Sequence, residues 1–250
     1  MPKQKGHLKI EGTFDGLTYY HTAEDGYLVK NKSGVSKQRI KTDPTFVRSR
    51  ENYTEFGATA KAAGTLRKTV LDLIIGSTDS RMMSRLVKQL TDIKNLDTAS
   101  IRGQRTVAGG IGAPAARALL KGFNFNLKSE AFKLLTRPVK VDRANGKITI
   151  NNVVPVKDIN FPGGATHVKL TGAFARVDFE SGEGIMKMSG TKRIPRDSKS
   201  HNISLVPSSI PRGKGVGIYL LKIEFLQQVN KKEYALIDYK FNSVAIIEVG

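Results

Sequence analysis

The chain has 250 residues, 39% hydrophobic and 25% charged, a balance that excludes global disorder and implies a packed core in one or two domains. It holds no cysteine, which excludes disulfide staples, thiolate catalysis and zinc sites of the cysteine type. Lysine and arginine number 41 against 22 acidic residues, and the formal charge of +19 makes a polyanion the first partner class to consider.

The N-terminus, Met1-Pro-Lys-Gln-Lys-Gly-His7, enters a strand-like pattern without the apolar stretch of a secretion signal. No run approaches the roughly 20 apolar residues of a membrane span. The expectation is no membrane insertion, and a cytoplasmic product or one packaged in a particle. Residues 7–32 then alternate apolar and polar positions around two turn dipeptides, Asp15-Gly16 and Asp25-Gly26. This predicts a β-meander with strands at His7–Ile10, Leu17–Tyr20 and Tyr27–Val29.

Asp43-Pro44 is a helix start, an acidic cap followed by proline at the first helical position. Phe46, Tyr53, Phe56, Ala60, Ala63, Val70 and Leu73 recur at helical spacing up to Gly76. A second start at Ser77-Thr78-Asp79 precedes the amphipathic run Met82, Met83, Leu86, Val87, Leu90 and Ile93. The pattern predicts an antiparallel helical hairpin over 44–75 and 79–94, with Leu86 and Leu90 in its interface. From Asp97 to Pro114 periodicity fails, and Gly103, Gly109, Gly110 and Gly112 mark a flexible connection before a short helix from Ala115 to Lys121.

Beyond Gly122 the signal is strands. Val139, Val141, Ile148 and Ile150 flank Asn145-Gly146, a type I′ hairpin cue. Further strands are expected at 166–170, 174–179, 184–188, 202–206, 217–227, 233–238 and 243–249. The predicted fold is α+β: residues 1–98 a β-meander and helical hairpin, 99–121 a Gly/Arg-rich connector, and 122–250 an antiparallel β-sandwich, Ig-like or jelly-roll-like.

Three stretches, Gly12-Thr-Phe-Asp-Gly-Leu-Thr-Tyr-Tyr20, Asp43-Pro-Thr-Phe-Val-Arg-Ser-Arg-Glu-Asn52 and Ile223-Glu-Phe-Leu-Gln-Gln-Val-Asn230, resemble a group of basic proteins of about 250 residues from Bacteroidetes-type bacteria. The layout is similar from the first strands to the last. The resemblance implies no activity and carries over no functional residue.

No catalytic residue, metal ligand or cofactor emerges. Gly110-Ile-Gly-Ala-Pro-Ala115 fits a dinucleotide fingerprint, yet no strand precedes it and no βαβ unit follows, so a capped glycine-rich linker is the better reading. His7, His21, His167 and His201 lack the paired spacing of metal ligands. Glu51 and Glu55, one helical turn apart, are read as solvated neighbours of Arg48 and Arg50.

Basic clusters rise above this background. Lys30, Lys32, Lys37, Arg39, Lys41, Arg48 and Arg50 are opposed only by Asp43, and Lys187, Lys192, Arg193, Arg196, Lys199, Arg212 and Lys214 only by Asp197. Arg102 and Arg105 add two charges in the connector. Such density suits phosphate backbones, because each neutralised phosphate releases counterions. The function expected is that of a non-enzymatic structural protein binding RNA or DNA backbone without sequence reading, within a larger assembly. The alternative is a self-assembling subunit of a virion, phage-like particle or filament with no direct nucleic-acid role. Tyr19, Tyr20 and Tyr27 lie near basic residues and suit either base stacking or core packing.

Overall fold

The computed structural model describes residues 2–32, 34–230, 232–236 and 239–250, with Tyr239 described in its backbone only. The fold is α+β, and the chain divides into two compact units, Met1–Arg50 and Glu51–Gly250.

The first unit is the meander β1 (Gly12–Phe14), β2 (Leu17–Thr22) and β3 (Gly26–Asn31), paired antiparallel in that order. Asp15 and Gly16 both have positive φ, 47° and 74°, the geometry a two-residue turn needs. That turn fixes Phe14 opposite Leu17. The first strand is therefore Gly12–Phe14 rather than His7–Ile10, and residues 2–4 instead run beside β3, where Val29 donates its N–H to the Pro2 carbonyl at 2.9 Å. Ser36 caps α1 (Lys37–Thr42), a helix the periodicity did not reveal. Asp43 accepts the Thr45 N–H at 2.9 Å and caps a 3-10 turn, Pro44–Phe46, which leads into α2 (Val47–Thr69) as the Asp-Pro pair predicts. Leu28 is the one buried hydrophobic residue described in this unit.

In the second unit α2 is followed by α3 (Leu71–Ile74) and α4 (Met82–Lys94). Leu86 and Leu90 are fully buried and share a core with Leu66, Val70 and Leu73, as expected of the hairpin. The buried stripe at the start of α2 differs from the expected one. Glu55, Thr59, Ala62 and Leu66 face inward at helical spacing, whereas Tyr53 and Phe56 are 81% and 60% exposed. A carboxylate can occupy that stripe because Lys94 and Arg105 both reach Glu55.

Residues 99–121 are built into the same core. In α5 (Val107–Gly110) and α6 (Pro114–Leu120), Val107, Ala116 and Leu120 are buried against the hairpin. A Cβ on Gly110 would lie 2.0 Å from the Ile93 carbonyl, so glycine there lets α5 press on the end of α4. The Asp97 carboxylate accepts N–H bonds from Ala99, Ser100 and Thr106, which fixes the segment's path. The division between compact units thus falls inside α2, where the sequence had placed the connector at 99–121.

After α7 (Ala131–Leu134) come β4 (Lys140–Val141), β5 (Ile148–Val153), α8 (Pro155–Asp158), β6 (His167–Asp178), β7 (Glu183–Met188), β8 (Lys192–Pro195), β9 (His201–Leu205), β10 (Val216–Val229), β11 (Lys232–Ala235) and β12 (Ser243–Val249). All pairs are antiparallel. β6, β7, β8, β10, β11 and β12 form one six-stranded sheet, and β4-β5-β9 a smaller one. Alternation along β6 sorts its side chains: Ala173, Ala175 and Val177 pack on the helices, while Val168, Leu170 and Phe174 pack on Ile148, Ile150 and Leu205 of the small sheet. The two sheets make a sandwich whose outer face on one side carries the helices.

The strands expected at 166–170 and 174–179 are one continuous β6, and β8 was not foreseen. Of the strand expected at 233–238, Glu233, Tyr234 and Ala235 pair with β10, while Ile237 and Asp238 lie outside the described residues. Around Asn145-Gly146 the hairpin exists with a longer turn. Val141 pairs with Ile148, because Asp142 draws in the Ala144 N–H and the Asn145 side chain and closes a loop over 142–147.

Candidate nucleic-acid interface

Three clefts adjoin at the end of β6 where it turns into β7. The largest, about 710 Å³, is lined by Thr65, Lys68 and Thr69 of α2, Arg176 and Asp178 of β6, the Ser181–Ile185 turn, and Arg212, Gly213 and Lys214 of the loop before β10. The second, about 500 Å³, shares Thr65 and Gly182 and adds Lys61. The third, about 340 Å³, shares Asp178 and Lys214 and adds Arg117 of α6. Lys61, Lys68, Arg117, Arg176, Arg212 and Lys214 therefore border one continuous concavity, with Asp178, Glu180 and Glu183 as its acidic members. Among the described residues none of these six cations forms an ion pair.

The chain builds this end of the sheet with close contacts that only glycine permits. A Cβ on Gly184 would lie 2.1 Å from Thr69 Oγ1, and one on Gly215, at φ +96°, would lie 2.2 Å from the Val177 carbonyl. The first brings the β6–β7 turn against α2; the second lays the 212–215 loop along β6. Asp178 organises the turn by accepting the Glu180 N–H at 2.9 Å, which holds its carboxyl below the usual range; Ser181 and the nearby Lys214 act in the same direction.

Arg176 is the fixed member of the set. Its guanidinium lies 5.8 Å from the Phe174 ring centroid, and one Nη donates to the Gly215 carbonyl at 3.3 Å. Its Nε is buried and has no hydrogen-bond partner. The ring and the carbonyl together fix the guanidinium in the cleft wall.

Of the sequence-selected residues, Arg212 and Lys214 enter this concavity. Lys192, Arg193 and Arg196 lie beside the opposite end of β6, with Lys192 across from Leu170 and Arg193 across from Lys169, about 20–25 Å away at ~3.3 Å per residue. Arg193 is bound to Glu233, and Arg196 sits over the Phe161 ring. Lys187 is on the β7 edge strand opposite Phe174, and Lys199 follows Asp197 in the turn before β9. The second cluster is therefore spread along the sheet and does not form one group. Arg105 is committed to buried Glu55, and Arg102 to Glu51 and Asn52. Glu55 is accordingly no solvated neighbour of Arg48 and Arg50.

In the first unit Lys30, Lys32, Lys37, Arg39, Lys41 and Arg48 are exposed. Arg39 pairs with Asp43 at 2.9 Å, and Arg50 donates to the carbonyls of Ile40 and Asp43, tying α1 to the start of α2. Lys30 lies over the Tyr20 ring, 5.0 Å from its centroid.

Lys61, Lys68, Arg117 and Arg176 escaped the sequence reading because they come from three elements far apart in the chain. The available signal was the glycine pair around Lys214, Gly213 and Gly215, both at positive φ. Among the described residues no group of His, Asp or Glu is placed to hold a metal ion, and no helix is long and apolar enough to cross a membrane. His201 pairs with Asp197 at 2.9 Å, and burial, with Arg193 nearby, pushes His167 below the usual histidine range. No protein-family model, curated protein or solved structure matches the chain.

Proposed function

We propose that this chain is a non-enzymatic basic structural protein that binds nucleic-acid backbone, RNA or DNA, without reading sequence, and acts inside a larger assembly. The observation that carries this reading is the continuous concavity bordered by six cations, none of them ion-paired among the described residues. Elsewhere in the second unit many basic side chains have an acidic partner, such as Lys94, Arg105, Lys121, Arg137 and Arg143. Unpaired cations held together repel one another and gain most from a polyanion. Arg176, anchored at the Phe174 ring and the Gly215 carbonyl, supplies a fixed positive charge in the cleft wall.

The experiment compares two charge reversals with the same change in net charge. Lys214→Glu alters the concavity; Lys157→Glu, in α8, lines none of the three clefts. Affinity for a mixed-sequence oligonucleotide should fall about 10-fold or more with Lys214→Glu and far less with Lys157→Glu. Equal losses would reduce the effect to overall charge and remove the site.

The self-assembly reading has one observation of its own: Leu8 and Ile10 are 86% and 53% exposed in a unit with a single buried hydrophobic residue among those described. Ordered oligomers formed in nuclease-treated protein would favour it over backbone binding.

A further inference from the structure

The two faces of the N-terminal meander differ in kind. Register places Thr13, Thr18, Tyr20, Leu28 and Lys30 on one face, and this is the face with the buried Leu28. The other carries Phe14 of β1, Leu17, Tyr19 and His21 of β2, and Tyr27 and Val29 of β3. Among the described residues of this unit nothing covers it fully. Phe14 is 75% exposed, His21 is exposed, and Tyr19 and Tyr27 are half-buried.

Four of the side chains on that open face are rings. His21 and Tyr27 are cross-strand partners with centroids 4.6 Å apart, tilted at 54°. Tyr19 has Gly12 opposite it on β1, so no side chain covers it from that strand. Lys9 reaches over Tyr27 with its ammonium 5.9 Å from the ring centroid. The unit as a whole has ten basic and five acidic residues, a charge that opposes a second copy of itself and favours a polyanion.

We infer that this face, Phe14, Tyr19, His21 and Tyr27 with Lys9 at its margin, is a base-stacking platform that selects single-stranded over double-stranded nucleic acid. The inference rests on the nucleic-acid reading above and adds the strand class to it. In a duplex the base faces are already stacked on one another, so exposed rings gain nothing from it. In a single strand each base offers a π-face, whatever its identity, and an aromatic sheet beside lysines accepts base and phosphate together. Such binding is tolerant of sequence, in keeping with a backbone binder.

The test uses the full chain and three probes of matched length, a 20-residue oligo(dT), an abasic strand of the same phosphate count, and a 20-base-pair duplex, with affinity read by fluorescence anisotropy at fixed salt. Oligo(dT) should bind at least about 10-fold more tightly than the abasic strand. Phe14→Ala should lower oligo(dT) affinity about 5- to 150-fold and leave the abasic strand unchanged. Phe14→Tyr should retain wild-type affinity, and because Phe14 is mostly exposed its replacement leaves the meander's buried side intact. The abasic comparison needs no variant. Equal binding of oligo(dT) and the abasic strand would overturn the platform and leave the basic concavity standing, as would equal losses on all probes. Loss of self-association in Phe14→Ala, with oligo(dT) affinity unchanged, would assign the face to a second copy. Failure of the wild-type chain to bind any probe would overturn both readings.

Discussion

Arg105 grips Glu55 through two hydrogen bonds, Nε to Oε1 at 2.9 Å and Nη2 to Oε2 at 3.0 Å, across 50 residues of sequence. The same carboxylate accepts the Gly103 N–H at 2.7 Å and binds the buried Lys94, so one residue of α2 ties down both the end of α4 and the glycine-rich segment after it. Arg105, followed by Lys94 and Gly103, holds the Glu55 carboxyl far below its ordinary value, at about 2, against the opposing effect of burial.

Glu55→Gln should therefore destabilise the second unit by about 3–5 kcal/mol, because it leaves Lys94 buried without its counter-charge. Since the carboxyl pKa is lowered on folding, the native charge contributes fully above about pH 4.5, and its contribution is lost as pH falls toward about 2. Denaturant unfolding of both proteins across that range should show the gap between them narrowing with acid. A gap independent of pH would mean that Glu55 acts by packing alone.

Leu90 is fully buried between the helices and the sheet. Leu90→Ala should cost about 2–5 kcal/mol in equilibrium unfolding, by lost burial and a residual cavity. A loss under about 0.5 kcal/mol would contradict the interface assigned to α4.

Gly146 combines a φ of +77° with a tight contact: an added Cβ would fall 2.7 Å from the Phe174 ring. Gly146→Val should thus destabilise by about 2–5 kcal/mol, from backbone strain together with overpacking. Gly213, also at positive φ but with open space around its Cβ position, separates the two causes, and Gly213→Ala should show the smaller loss that strain alone produces. Thermal unfolding of both variants provides the comparison.

The strands β10 and β12, as apolar runs, and the apolar stripe of α4 were legible in the sequence because each depends on neighbours within a few residues. The inward face of α2 was not. Its Glu55 is buried only because Lys94 and Arg105 lie 39 and 50 positions on, and no local window holds that information. Similarly, Asn145-Gly146 marked a turn correctly, but Asp142 chose its length through hydrogen bonds that a dipeptide cue cannot rank. Of the six cations around the concavity, the sequence marked two. Arg212 and Lys214 stood out as part of a charge run, while Lys61, Lys68, Arg117 and Arg176 join them only when α2, α6 and β6 converge.

The most direct test of the account is the salt dependence of nucleic-acid affinity, measured as log K against log salt for the wild-type chain and for Lys61→Ala/Lys68→Ala/Lys214→Ala. Six phosphate contacts predict a wild-type slope of about −4 to −5, and removing three cations should flatten it by about 2 to 3 while leaving the fold unchanged. A wild-type chain that fails to bind at low salt, or a variant whose slope equals the wild type's, would contradict the assignment of the concavity to the nucleic-acid backbone.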